Sequence, residues 1–350
     1  MTDPGSPSDH ITPYDRLALD ERVMIALLAA PVPSEGLVEY FGAELHAELA
    51  VLARRTIEKP PGPQARRVYV LPGIMGSQLG FARGGGKPND ILWLDPIDFQ
   101  LGRLTDLRFG PGSRVIALGA MNYTYLKLTL SLRAAGFDAV LLDYDWRRDV
   151  ATLGKQLADR VVADGREDVA LVGHSMGGLV ARSAIHHGLL VQRGRLRWPA
   201  RVADLVCLGT PHQGAPLERA GHGIDLLLGA VPHAARLAGL RSAGINDLRL
   251  GNVVPGPASD DGTFRCEQVG LPAGTRCFAI AGCLGSAGAG LEADLQGDGL
   301  VPVASALGHH DQPERRLDFA PDRQAVVDRT NHLDLLSSAK VHGLLRQWLR

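Results

Sequence analysis

The sequence predicts an α/β fold in which a mostly parallel central sheet is covered by helices on both faces. Three observations predict it. From residue 67 onwards, short apolar segments that are typical of buried strands alternate with amphipathic segments of helical period. This alternation indicates βαβ units, whose parallel strands are covered by the helices between them. A glycine-rich turn joins one such strand to a helix, and 350 residues suffice for one large domain with insertions.

The composition is that of a globular protein with a sizeable core. Hydrophobic residues make up 45% of the chain and charged residues 21%. The net charge of −1 provides no basic field to attract phosphate backbones, and an aromatic content of 5% offers few surfaces for base stacking. These values argue against a nucleic acid as partner.

The amino terminus predicts a cytoplasmic location. The first sixteen residues, MTDPGSPSDHITPYDR, lack the basic and then apolar order of a secretory signal. The apolar run at 23–30 ends at Pro31, and no stretch reaches 18 apolar residues, so no transmembrane segment is expected. Transient contact with a membrane surface remains open.

The cysteines predict neither a metal site nor a redox motif, because no pair has C-x-x-C spacing. They are Cys207, Cys266, Cys277 and Cys283. A disulfide between Cys266 and Cys277 remains open, although buried thiols are favoured in the cytoplasm. No metal or other cofactor is expected.

The chain is expected to begin with a disordered tail and a helical arm over residues 1–60. Residues 1–15 are predicted to be disordered, whereas 16–30 and 36–56 have helical periodicity. The proline cluster KPPGP at 59–63 marks a boundary, after which 61–350 form the main domain. Whether the arm binds a protein partner remains open.

The main domain is expected to contain six strands, four helices and two insertions. The strands are predicted at 67–71, 138–146, 168–173, 203–211, 277–282 and 323–330. The helices are predicted at 121–136, 151–164, 177–191 and 332–349. Insertions at about 79–113 and 216–275 interrupt the alternation, and such long insertions favour a lid or cap.

The stretch DVALVGHSMGGLVARSAI contains the candidate nucleophile, Ser175. It has the strand, G-x-S-x-G turn and helix of the nucleophile elbow in α/β-hydrolases. The turn is so tight that the flanking positions must be small, which Gly173 and Gly177 satisfy, and Gly178 gives clearance for the helix behind.

A serine nucleophile needs a base, and the base needs an orienting carboxylate. In this fold both follow the serine, the acid first. Asp298 lies in a turn after a predicted strand, and His332 lies in a loop before the last helix. These two complete a predicted triad with Ser175.

Other histidines and carboxylates fit these roles less well. His309 and His310 follow Asp298 too closely, His174 is expected to point away from the nucleophile, and Asp334 is expected to begin a helix. Two further histidines, His186 and His187, are weaker candidates because they lie within a helix. The carboxylates of Asp143 and Asp145 are weaker because they precede Ser175.

An acyl-transfer site also needs donors for the developing oxyanion. One predicted donor is the backbone N–H of Met176, the residue after the nucleophile. The other is the backbone N–H of Ile74, in the loop LPGIMGS that follows the first strand.

The segments VYVLPGIMGSQL, YDWRRD, VALVGHSMGG, GTPHQGA, GDGLVP and NHLDLL occur in this order. In this respect the chain, from about residue 67 to 345, resembles the lecithin:cholesterol acyltransferase family. That family includes lysosomal phospholipase A2-type enzymes and bacterial α/β-hydrolases. The chain lacks the paired cysteines that close the lid in the animal members.

The resemblance implies an α/β-hydrolase fold with the same triad and oxyanion donors. It further implies that Asp145, Trp146 and Arg147 form a turn that supports the pocket. Trp93 falls in the first insertion, which in the family covers the pocket and helps to bind acyl chains. His212, at the end of a predicted strand, is a further candidate for lining the pocket.

The predicted function is that of a serine-dependent acyl-ester hydrolase or acyltransferase, similar to lipases, esterases or phospholipases, that acts through an acyl-enzyme. Its partner would be an acyl-ester or lipid substrate. Thioesterase and amidase activities remain open within the enzyme class. From a different class, a non-catalytic binding module with the hydrolase fold remains the alternative.

Overall fold

The computed structural model describes residues 11–17, 20–191, 201–215, 242–255, 269–286 and 297–350. The chain divides into two units. One comprises Met1–Ala65 and Met75–Asp145, and the other comprises Arg66–Ile74 and Trp146–Arg350. Most of the predicted insertion at 216–275 lies outside the described residues, as does Cys266.

Helices form the amino-terminal part of the first unit. They are α1 (Pro13–Leu17), α2 (Glu21–Ala29), α3 (Glu35–Phe41) and α4 (Ala43–Glu58). The helix predicted at 36–56 is interrupted, because Gly42 has a φ of +76° that a helix does not contain. Residues 13–15, part of the tail predicted to be disordered, belong to α1, and the buried Asp15 accepts through its carboxylate from the backbone N–H of Ile91 at 2.8 Å.

The helical arm packs on a later helix, α6 (Asn122–Ala134), around one apolar core. The buried members of this core are Met24, Ile25, Leu28, Leu37, Phe41, Leu49, Ala53, Leu126 and Leu130. The arm is therefore stabilised by the same burial of apolar surface as the rest of its unit.

The first unit also contains an antiparallel sheet that was not predicted. Its strands β2 (Ser77–Phe81), β3 (Asp90–Trp93) and β4 (Ile116–Ala120) follow the order β3-β2-β4. Helix α5 (Pro96–Gln100) and a 3₁₀ segment, Arg103–Leu107, come between β3 and β4. Strand β5 (Asp138–Leu141) ends earlier than the prediction of 138–146.

A parallel sheet forms the centre of the second unit and confirms the predicted fold class. Its strands are β1 (Arg67–Leu71), β6 (Val169–His174), β7 (Val202–Leu208), β8 (Arg276–Cys283) and β9 (Gln324–Asp328). They pair in parallel in this order. β6 is buried along its whole length, as expected of a strand covered on both faces.

Helices flank this sheet. They are α7 (Val150–Asp164), α8 (Met176–Val191), α9 (Ala243–Leu250), α10 (Val303–Ala306) and α11 (Ala339–Trp348). α7 approaches α8 so closely that a Cβ on Gly154 would collide with Ser183. The final helix begins at Ala339 rather than at residue 332, because a loop and a 3₁₀ turn, Asp334–Leu336, precede it.

Cys207 and Cys277 are free thiols, and both they and Cys283 are buried. Burial raises the pKa of Cys207 and of Cys277 to about 12, so both remain protonated at neutral pH. Among the residues described, none of the helices combines the length and the apolar character that crossing a bilayer requires.

Candidate active site

Ser175 lies on a sharp turn between β6 and α8, at the carboxyl end of the central strand β6. Its φ is +53°, a left-handed conformation that is uncommon for residues other than glycine. The backbone N–H of Ser175 donates to Leu208 O on the neighbouring strand β7 at 2.8 Å. The surrounding structure thus holds the serine in a strained conformation, as is common at functional sites.

The glycines around Ser175 are required by contacts on all sides of the turn. A Cβ on Gly173 would lie 2.5 Å from the carbonyl carbon of Gly177, and one on Gly177 would lie 2.5 Å from Leu71 O. A Cβ on Gly178 would collide with the hydroxyl of Thr210. This strand, turn and helix, called the elbow below, has the geometry that the motif predicts, and the role of Ser175 as a nucleophile stays a prediction.

Asp298 and His332 lie side by side on two loops that follow β8 and β9. His332 Nδ1 is 2.7 Å from Asp298 Oδ2, and the backbone N–H of His332 donates to Asp298 O at 3.0 Å. Asp298 is fully buried and His332 is 1% exposed. The structure thus brings together the two residues that were predicted as acid and base.

The hydrogen bonds of Asp298 fix the tautomer of His332. Oδ1 of Asp298 accepts from the backbone N–H groups of Leu300 and Val301 at 3.0 and 2.8 Å, which leaves Oδ2 to the imidazole. An ionised carboxylate only accepts hydrogen bonds, so Nδ1 of His332 carries the proton. In the neutral ring, Nε2 is then the basic nitrogen.

His174 connects the elbow to His332, which the sequence analysis missed. The Nε2 atom of His174 donates to the main-chain oxygen of His332 at 3.0 Å, and the two rings lie 4.6 Å apart. Burial, and secondarily the proximity of His332, lowers the pKa of His174 well below its ordinary value. His174 is therefore neutral at pH 7. Strand alternation indicates only that its ring points away from the side chain of Ser175.

The turn after β7 provides a second connection between the elbow and the Asp298–His332 pair. Leu208 accepts from Ser175, and a Cβ on the next residue, Gly209, would lie 3.0 Å from Asp298 Oδ2 and 3.1 Å from His332 Nδ1. Gly209 also has a φ of +56°. Only a residue without a side chain fits this position beside Asp298 and His332.

The two predicted oxyanion donors belong to segments that meet at Ser175. Met176 is the first residue of α8, where a backbone N–H has no acceptor within the helix. Ile74 follows Gly73, and a Cβ on Gly73 would lie 2.8 Å from Ser175 Cβ. The loop that contains Ile74 therefore passes directly beside Ser175, whereas its role in binding an oxyanion stays a prediction.

The predicted pocket residues are placed in both units. Trp93 and Asp145 belong to the first unit, where Trp93 is buried and its Nε1 donates to Met75 O at 2.8 Å. In the second unit, Trp146 and Arg147 are buried, and Arg147 O accepts from the backbone N–H of Gly244 at 3.3 Å. A Cβ on Gly244 would also collide with Trp146 O, so both residues adjoin the start of α9.

His212 is 5% exposed and lies in the turn that follows β7. Its Nδ1 is 3.2 Å from Nη1 of the buried Arg182 on α8, and its ring lies 5.4 Å from that of Phe319. Burial, followed by the charge of Arg182, lowers the pKa of His212 well below its ordinary value.

Three of the competing candidates, His309, His310 and Asp334, have other surroundings. His309 is exposed and its Nε2 is 3.2 Å from Gln324 Oε1, whereas His310 Nδ1 accepts from the backbone of Gln312. Asp334 is exposed and begins the 3₁₀ turn before α11.

Comparison with known proteins gives one family match and several structural likenesses. Residues 156–237 match the family model described as PGAP1-like alpha/beta domain, which covers less than a quarter of the chain. None of the curated proteins matches the chain. The resemblance to the lecithin:cholesterol acyltransferase family stays a prediction.

Three solved structures illustrate the likenesses. The chain is similar to the mature lipase BlEst2 of Bacillus licheniformis, with 18% identity, a TM-score of 0.44, and coverage of 83% of this chain and 94% of the lipase. It is similar to the naproxen esterase of Bacillus subtilis, with 14% identity, a TM-score of 0.42, and coverage of 83% and 85%. The type II thioesterase BorB of the borrelidin biosynthetic cluster follows with 16% identity, a TM-score of 0.38, and coverage of 83% and 96%.

The family match includes the elbow but not the acid and base. Ser175 and Met176 fall within residues 156–237, whereas Asp298 and His332 follow them. The chain thus contains a segment similar to the PGAP1-like alpha/beta domain.

Proposed function

We propose that the protein is a serine-dependent carboxylic ester hydrolase in which Ser175 is the nucleophile, His332 the base and Asp298 the orienting acid. The observation that carries the proposal is the hydrogen bond from His174 to the main-chain oxygen of His332. This bond joins the residue next to Ser175 to His332, which supports the assignment of these two residues as nucleophile and base. The Asp298–His332 bond supports the same assignment, because it leaves Nε2 of His332 free of the carboxylate.

The first half-reaction forms an acyl-enzyme. Ser175 Oγ attacks the carbonyl carbon of the ester while His332 Nε2 takes the hydroxyl proton, and the carbonyl π electrons move to oxygen. The backbone N–H groups of Ile74 and Met176 stabilise that oxyanion. When the oxyanion collapses, the bond to the alcohol oxygen breaks and His332 gives its proton to the leaving alcohol.

The second half-reaction releases the acid. Water attacks the acyl-enzyme carbonyl, His332 takes one of its protons, and the bond to Ser175 Oγ breaks as the serine regains a proton. An alcohol in place of water gives acyl transfer by the same steps. Hydrolysis of an ester with an acyl chain of moderate length is the expected reaction.

The proposal is tested by covalent labelling with a fluorophosphonate probe, which reacts with activated serines. We expect the wild-type protein to be labelled once and Ser175→Ala not to be labelled. Ser183→Ala, which removes another buried serine of the same region, is the matched control and should be labelled like the wild type. Labelling of Ser175→Ala to the same extent as the wild type would refute the assignment.

A panel of p-nitrophenyl esters of graded chain length, with and without an alcohol acceptor, then distinguishes hydrolysis from acyl transfer. Free acid as the product in both conditions supports a hydrolase. If an ester of the added alcohol is the main product, the protein is an acyltransferase that uses the same acyl-enzyme.

A further inference from the structure

Arg182 is a buried cation in the second unit without a carboxylate partner in the described part of the chain. Its side chain lies on α8, two turns after the elbow, and the residue is 4% exposed. Its Nη2 donates to Val269 O and its Nη1 contacts His212 Nδ1. Both partners are uncharged acceptors, so neither balances the charge.

The two thiols that interact electrostatically with Arg182 do not neutralise its charge either. Cys207 and Cys277 remain protonated, as noted above, because burial raises the pKa of each to about 12. Burial lowers the pKa of Arg182 to about 10, which still leaves the guanidinium charged at neutral pH. An unpaired buried charge is costly, and buried charges in proteins are normally paired.

Arg182 also determines which nitrogen of His212 carries a proton. A guanidinium only donates hydrogen bonds, so His212 Nδ1 accepts and the proton of the neutral ring lies on Nε2. His212 Nε2 and Arg182 Nε are both buried and neither has a hydrogen-bond partner in the described structure. The pair therefore offers two unused donors and a positive charge, but no unused acceptor.

We propose that Arg182 and His212 form a subsite for an anionic oxygen ligand, that is, a carboxylate or a phosphate group. Such a group supplies what the pair lacks, because its oxygens accept from N–H donors and its charge neutralises the guanidinium. A neutral apolar ligand supplies neither. Buried donors without partners are rare in folded proteins, and an anionic oxygen group would satisfy both donors of this pair.

The position of His212 connects this subsite to the proposed reaction. His212 follows Gly209 by three residues, and Gly209 lies against both Asp298 and His332. His212 is thus at the carboxyl end of β7, the edge of the sheet at which α/β proteins bind ligands. One source of the anion is an acidic group on the ester substrate, and this part of the inference rests on the proposed function. A free anion is the other source.

The first experiment measures binding without catalysis. The melting temperature of Ser175→Ala is recorded with sodium acetate, sodium phosphate or sodium chloride at equal ionic strength. We expect acetate or phosphate to raise the melting temperature with saturation, because a ligand that binds only the folded protein stabilises it. Phosphate also stabilises proteins non-specifically, so the comparison between variants decides the result.

The variants are introduced into the Ser175→Ala background. Arg182→Met and His212→Phe should lose the saturating shift, whereas His212→Gln, which keeps a donor, should retain it. Arg160→Met removes an exposed arginine of α7 and serves as the matched control. Equal shifts in all these proteins, or no shift beyond that of chloride, would overturn the proposal. If Arg182→Met does not fold, the comparison of His212→Phe with His212→Gln decides.

The second experiment identifies the source of the anion. The ratio of kcat/KM for p-nitrophenyl hemisuccinate to that for p-nitrophenyl butyrate is compared between the wild type and Arg182→Met. A fall in this ratio by about tenfold, the value of one charge-assisted hydrogen bond, assigns the subsite to an acidic substrate. An unchanged ratio together with the acetate shift assigns it to a free anion. Failure to hydrolyse either ester refutes the proposed function but leaves the binding result decisive.

Discussion

His174 donates a hydrogen bond from Nε2 to the main-chain oxygen of His332 across 3.0 Å, although 158 positions separate the two residues in the sequence. The carbonyl oxygen only accepts, so Nε2 of His174 carries the proton. His332 is therefore held twice, through its ring by Asp298 and through its main chain by His174. We infer that His174 is a positioning residue for the proposed base.

Replacement of His174 by Met should lower kcat by about 10- to 100-fold, because small displacements of a catalytic group reduce the rate by such factors. KM should change little, since His174 is expected to act through His332 and not on the substrate. His174→Gln retains an N–H at a similar position and should restore most of the rate. Equal losses in both variants would contradict the positioning role, and circular dichroism would verify that both are folded.

The elbow was predictable from the sequence because its requirements are local. Gly173, Gly177 and Gly178 surround Ser175 within six positions, and the contacts that exclude side chains there act on the turn itself. The strands of the parallel sheet were predictable for a related reason. Four of them, β1, β6, β7 and β8, are buried along most of their length and therefore appear as largely apolar runs, whereas β9 is only partly buried.

The antiparallel sheet of the first unit was not predictable in this way. Its strands are four or five residues long, and the pairings of β2 with β3 and with β4 both contain register shifts that disturb strict alternation. The hydrogen bond from His174 to His332 was missed for another reason. It depends on long-range packing, to which no local pattern corresponds.

Asp298→Asn should reduce kcat by about four orders of magnitude, by analogy with the equivalent change in serine proteases. The asparagine can still accept from the backbone N–H groups of Leu300 and Val301 through its oxygen. Its NH₂ group then faces His332 Nδ1 and favours the tautomer protonated on Nε2, which cannot act as a base.

Asp334→Asn is the control for this measurement, since Asp334 is an exposed carboxylate two residues after His332. Its kcat should equal that of the wild type. Full activity of Asp298→Asn combined with loss of activity in Asp145→Asn or Asp143→Asn would show that the acid is assigned to the wrong residue.

Stability should fall as the pH is lowered below about 6.5, the ordinary pKa of histidine. Burial lowers the pKa of both His174 and His212 in the folded protein. Below pH 6.5 the unfolded chain therefore binds protons that the folded chain does not, and the free energy of unfolding decreases by up to about 1.4 kcal/mol per pH unit for each residue.

Urea denaturation between pH 8 and 5 measures this dependence. His174→Gln removes one of the two titrating groups, so the free energy of unfolding should fall less steeply as the pH is lowered. A variant with the same slope as the wild type would show that His174 does not carry the effect.

Gly178→Ala should destabilise the protein by about 1–3 kcal/mol, because the added methyl group would overlap the Thr210 hydroxyl beside the elbow. Gly343→Ala in α11 is the matched control. A Cβ on Gly343 meets nothing within 4 Å, so this substitution should leave stability unchanged or raise it by about 1 kcal/mol. Thermal denaturation of the two variants tests the expectation, and equal changes in melting temperature would contradict it.

Arg103 should be essential for the stability of the first unit. Its guanidinium donates to Asp90 at 2.8 and 2.9 Å and to Asp98 at 2.6 Å, and both carboxylates are buried. Arg103→Met removes the positive charge that neutralises these carboxylates and should lower the free energy of unfolding by about 3 kcal/mol. Burial raises the pKa of Asp98 to about 6, so its contribution to stability is lost as the pH rises through that value. The loss measured by urea denaturation at pH 7 should therefore shrink at pH 5, and a loss independent of pH would show that desolvated carboxylates are not its cause.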